Sequence, residues 1–77
     1  MTSLQEALAT AWRLDQSGDL RQAEAIYRQV LQIDATNATA WFLLGRLSKQ
    51  LGRLDEARSC YEQAIRLNPN AWQAHNN

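Results

Sequence analysis

Cysteine, proline and methionine each occur once in this 77-residue chain, and glycine only three times. The solitary Cys60 can form no internal disulfide and cannot complete a metal cluster, so neither is expected to hold the fold. No apolar run approaches the roughly 18–20 residues of a membrane span, and no charged, apolar, small-residue leader is visible. These absences point to a reducing cytoplasm and to a chain that does not engage a membrane. Charge of one sign is also lacking. Eight basic residues balance eight acidic ones, so no overall field favours nucleic acid or an anionic surface. No phosphate loop, nucleophile with its base, or pair of catalytic carboxylates can be assembled. The chain is therefore expected not to be an enzyme and to carry no cofactor and no metal.

What is present is a repeat. Gln16, Gly18, Leu20, Ala23, Tyr27 and Gln29 return 34 residues later as Gln50, Gly52, Leu54, Ala57, Tyr61 and Gln63. Leu31 and Ile33 return in apolar character as Ile65 and Leu67. A fixed period of this length signals stacked copies of one supersecondary unit, and such stacks usually build a concave surface that binds other chains. The 45% hydrophobic and 21% charged residues are ordinary for a globular chain of one small domain.

Within each unit the apolar residues follow helical spacing. Ser3 and Glu6 fit a capping box ahead of Leu4, Leu8, Ala11 and Leu14. Gly18 supplies a left-handed stop, and Leu20, Ala23, Tyr27, Val30 and Leu31 line a second helix. Asp34 and Asn37 are the cap candidates of a polar break. Trp41, Leu44, Leu47, Ser48 and Leu51 then repeat the pattern up to Gly52. Leu54, Ala57, Tyr61, Ala64 and Ile65 line the last full helix, which stops before Asn68 and Pro69. Helices are expected over 4–17, 20–33, 38–51 and 54–67, with a fifth starting near Ala71. The small residues Ala11 and Gly45, and Ala23 and Ala57, fall at matching heights. They let each helix pair approach closely while Tyr27 and Tyr61 fill the space beside them.

Trp41, Leu44, Gly45, Ala57, Tyr61, Ala64 and Pro69 stand at the signature spacings of a tetratricopeptide repeat, which the stretch Ala38 to Ala71 resembles. The stretch Leu4 to Asn37 resembles it more loosely, keeping Ala11, Gly18, Ala23 and Tyr27 but placing Ala7, Thr10 and Ala35 at the Trp, Leu and Pro positions. Residues 72–77 read like the opening of a third unit, with His75 where Trp41 stood. The resemblance implies an all-α fold, in which antiparallel helix-turn-helix repeats (4–37 and 38–71) stack as a right-handed α-solenoid. It also implies a protein-interaction module. The chain reads as the start of a longer array, and bacterial proteins with such leading repeats often carry glycosyltransferase or similar domains downstream. A structural spacer or self-association arm of such an enzyme is the alternative use, with a homo-oligomer formed through the C-terminal edge.

By the same resemblance the first helix of each unit lines the concave groove. That assigns Gln5, Leu8, Trp12 and Asp15 to the groove from the first unit, and Thr39, Phe42, Arg46 and Lys49 from the second. Trp12 lies off the face formed by Leu4, Ala7, Ala11 and Leu14. Beside Phe42 and Arg46 it would make a peptide hot spot, combining apolar burial with a charged anchor. Packing of Trp12 on Phe42 inside the stack is the other role the pattern allows. Arg46 and Lys49 form the basic pair of this face and could hold an acidic peptide. The Lys, Asn and Arg clamp that some family members use on C-terminal carboxylates is not reproduced, since Leu8, Trp12 and Leu43 occupy its places. Asn77 falls where glycosyltransferase-type repeats place a partner-gripping asparagine, but Ala9 and Leu43 fill the equivalent positions. Cys60 reads as an inert core thiol, and Glu24 with Arg28 and Glu62 with Arg66 as helix-supporting pairs.

Overall fold

A computed structural model describes residues 3–69; the expected fifth helix, His75 and Asn77 lie outside the described residues. The described residues form four helices: α1 (Leu4–Gln16), α2 (Leu20–Ile33), α3 (Ala38–Gln50) and α4 (Leu54–Leu67). Three of the four starts have a side-chain cap. Ser3 accepts from the Glu6 backbone N–H at 3.1 Å, Asn37 accepts from that of Ala40 at 3.0 Å, and Asp19 caps α2 through Gln22. The capping box is closed differently from expectation: the Glu6 carboxylate meets the Ser3 hydroxyl at 3.3 Å. Arg53, at the start of α4, makes no side-chain cap.

The ends of α1 and α3 are set by two glycines. Gly18 and Gly52 have φ of 94° and 82°, and the backbone folds back so that Asp19 N–H donates to Leu14 and Arg53 N–H to Ser48. This double closure stops α1 and α3 one residue short of the expected ends, leaving Ser17 and Leu51 as the caps. The tight turns pair α1 with α2 and α3 with α4, and α3 touches all three other helices.

The core runs through the stack. Ala11, Ala23, Tyr27 and Val30 meet Ala40, Leu44 and Leu47, all almost wholly removed from water. Gly45 permits a closer approach in the second pair, because a β-carbon there would lie 3.0 Å from the Tyr61 ring and 3.1 Å from Cys60. Cys60 is buried, and burial pushes its thiol up from the ordinary range. Trp41 is pinned to the connection between the pairs by its indole N–H, which donates to the Ala35 carbonyl at 2.8 Å.

Across the opposite edge, charges link the two pairs. Arg28 bonds Glu24 at 2.9 Å and also bonds Glu56 of α4, while Arg53 bonds Glu24 at 2.5 Å. Glu24 and Arg28 thus do more than brace their own helix. Among the described residues no ion pair joins Glu62 to Arg66.

Candidate binding groove

Stacking α1 beside α3 leaves an open groove of about 620 Å³ between their N-terminal halves. Leu4, Leu8, Ala9 and Trp12 form its apolar wall on α1, and Leu43 faces them from α3. Gln5, Thr39 and the connection residues Asp34 and Asn37 supply its polar groups. The connection is held in place. Asp34 accepts from the Thr36 backbone at 3.1 Å and from the Thr36 hydroxyl at 2.6 Å, and Asn37 spends its carbonyl oxygen on the α3 cap. Among the described residues the amide N–H donors of Asn37 have no recorded hydrogen-bond partner.

Deeper in the stack lies a second cluster. The Arg46 guanidinium sits over the Trp12 ring, 4.9 Å from its centroid, a cation–π arrangement that fixes both side chains. Asp15 stands close to Arg46 and to the Tyr27 hydroxyl, yet it is only 5% exposed. Neither its oxygens nor Tyr27 Oη has the geometry of a hydrogen bond to any described residue. Burial pushes the Asp15 carboxyl above the usual carboxylate range, outweighing the nearby Arg46 charge and Tyr27 hydroxyl, which act the other way. Burial, then the Asp15 charge, pushes the Tyr27 phenol up from its ordinary value.

The eight residues assigned to the groove by resemblance therefore separate. Gln5, Leu8, Trp12 and Thr39 come together along it. Asp15 is instead buried near the end of α1, beside Arg46 of α3 and Tyr27 of α2. Phe42 packs on Tyr61 of α4, with centroids 5.5 Å apart and rings tilted by 51°. Lys49 is exposed near the end of α3. Asp34, Asn37, Leu43, Leu4 and Ala9 were missing from the expected set. The first two read as helix-capping residues, and the signal that they also border a cavity is their place beside the start of α3. Among the described residues no cluster of three or more metal-ligating side chains occurs, and no helix is long and apolar enough to cross a membrane.

The sequence is similar to those of known proteins. A family model described as tetratricopeptide repeat matches residues 16–76. A TPR repeat-containing protein of Methanocaldococcus jannaschii is 39% identical over 56 residues, covering 73% of this chain and 17% of the relative. The cellulose synthase operon protein C of Pseudomonas fluorescens is 36% identical over 56 residues, covering 73% of this chain and 4% of its own length. Calcineurin-binding protein 1 of Arabidopsis thaliana is 34% identical over 65 residues, covering 84% and 4% respectively. The chain thus spans a small part of each of these relatives. With the signature residues packed helix on helix and the match running over most of its length, the chain belongs to the tetratricopeptide repeat family.

Proposed function

We propose that the chain binds a segment of another protein in the groove between α1 and α3. The observation that carries this reading is an open, largely apolar groove beside a tryptophan already fixed by Arg46. An apolar side chain of the partner would enter between Leu8, Trp12 and Leu43. Its flanking polar groups would meet Gln5, Asn37 and Thr39. A pre-oriented tryptophan loses little freedom on binding, so most of the burial energy is kept as affinity.

Display of random peptides against the 77-residue chain tests the reading. Selected peptides should lose about 30-fold or more in affinity with Trp12→Ala, as expected of a central aromatic anchor. Gln5→Arg, at an exposed position bordering the groove, should weaken them without disturbing the core. Peptides that bind both variants as tightly as the parent chain would remove the groove assignment.

A further inference from the structure

The groove between α1 and α3 is apolar along its walls but unlike at its two ends. At the end nearer the start of α3 stands Asp34, the one charged side chain among the described residues that line the groove. The Asn37 backbone N–H donates to the Asp34 carbonyl at 3.2 Å, which fixes Asp34 beside the start of α3. Both Thr36 bonds fall on Asp34 Oδ1, so Oδ2 takes no hydrogen bond among the described residues. Asp34 also ends α2, the one described helix without a basic residue in its last turn; Arg13, Lys49 and Arg66 hold that place in α1, α3 and α4. The partial negative charge of the α2 end therefore adds to that of Asp34, with no cation on the same turn to offset it. The nearby start of α3 opposes this with only about half a unit charge.

The other end carries the opposite sign. Arg46 follows Leu43 by three residues on α3, one turn farther along, and its contact with Trp12 turns it toward α1 and the groove. Stacking engages the face of a guanidinium and leaves its N–H edge able to donate. Among the described residues that edge enters no ion pair. Lys49, three residues beyond Arg46 and exposed, adds a second positive charge, against the single buried carboxyl of Asp15. This end is therefore positive on balance. The remaining charges of α1, Glu6 and Arg13, share its outward side with Thr10 and do not line the groove.

We infer that the groove takes a segment carrying opposite charges on the two sides of its apolar anchor, a basic side chain against Asp34 and an acidic one against Arg46. The inference rests on the groove being the binding site and adds the chemistry of the partner. From Asn37 to Arg46 the chain climbs nine residues along α3, about 14 Å at about 1.5 Å per residue. An extended segment covers about 3.3–3.6 Å per residue, so its two charges fall about four positions apart. The anchor lies between them, beside Leu8 and Trp12. A segment with charge of one sign only would meet a like charge at one end. Each exposed pair changes affinity by about two- to fivefold, so the charges select among segments while apolar burial supplies most of the binding.

Selection from a displayed peptide library with a fixed central leucine and randomised flanks tests this. Peptides enriched on the chain should carry Lys or Arg on one side of the leucine and Asp or Glu on the other, about four positions apart. Asp34→Asn keeps an acceptor oxygen for Thr36 and should abolish the basic preference alone. Arg46→Gln should abolish the acidic preference alone. Each preference is read as the affinity of a selected peptide relative to its copy with that charge replaced by Gln, so any loss through the Trp12 stack cancels. The ratio should be about two- to fivefold on the parent chain and fall to about one on the matching variant, and on the parent in about 0.5 M salt. Circular dichroism checks that the helices persist in each variant. Selected peptides without a charge pattern, or a pattern that survives both substitutions, would overturn the inference; if those peptides still lost affinity with Trp12→Ala, the groove assignment would stand. Binders indifferent to Trp12→Ala, or a selection that yields no binder, would remove both.

Discussion

Replacing Asp15 by asparagine should make the protein more stable. The carboxylate is 5% exposed and lacks a hydrogen-bond partner among the described residues. Burying the charged carboxylate costs more than burying the neutral amide that would replace it, by about 1–3 kcal/mol. Asp15 also stands in the last turn of α1, where a negative charge opposes the helix dipole by about 0.3–1 kcal/mol. Against these stand the attraction of Arg46 and the neighbouring Tyr27 hydroxyl, together on the order of 1 kcal/mol. The molecule measures 29 × 28 × 24 Å, so no group lies far from bulk water, and the lower end of each range applies. The net expectation is a gain of about 1 kcal/mol at neutral pH, which raises the melting temperature of a domain this size by about 4–8 °C. The sign with pH follows from burial raising the folded pKa above the unfolded one. The penalty is then absent below the unfolded value and complete above the folded one. The advantage of Asp15→Asn should therefore be greatest above the folded pKa and vanish as pH falls through the ordinary carboxylate range. Urea unfolding followed by circular dichroism, at pH 7 and in acid, measures it. A substituted chain less stable than the parent at pH 7, or a gap that ignores pH, would refute the reasoning.

Two further substitutions probe the packing and the ion network. Gly45→Val should lower stability by about 1–3 kcal/mol, since even a β-carbon at this site crowds the Tyr61 ring and Cys60; an unchanged thermal melt would show the approach to be slack. Glu24→Gln should cost about 0.5–1 kcal/mol at pH 7. Burial alone would push the Glu24 carboxyl up, but the Arg28 hydrogen bond and the Arg28 and Arg53 charges outweigh it and hold it below the usual range. Its contribution is present above the unfolded pKa and lost as pH falls through the folded one, the reverse slope to Asp15. Melts at two pH values and two salt concentrations should show the gap closing in acid and narrowing with salt.

Much of the architecture was legible because it depends on short-range periodicity. The spacing of Leu20, Ala23, Tyr27, Val30 and Leu31 sets one helical face, and that face is the one found buried or half-buried. Gly18 and Gly52 marked the turns because the required positive φ is cheap only for glycine. The groove was legible in part. Leu8, Trp12 and Thr39 followed from the resemblance, whereas Leu43 and the capping residue Asn37 enter the groove only once α3 is laid against α1. Asp15 illustrates the limit. It is buried beside Arg46, on a different helix pair, and no local pattern encodes a contact between residues so far apart in the chain. The same holds for the bond from Arg28 to Glu56, since the i, i+4 partner Glu24 already accounts for Arg28 locally.

The unlike outer surfaces of the two pairs give the stack a direction. The side of α1 bearing Glu6, Thr10 and Arg13 is finished with polar groups, while α3 turns Ala40, Leu44 and Leu47 onto the helix before it. The two units are therefore not interchangeable modules. An engineer lengthening the array could insert further copies of the second pair, each carrying its own apolar seam to its predecessor. A copy of the first pair placed downstream would interrupt that seam with three polar side chains, and the array would come apart at that joint.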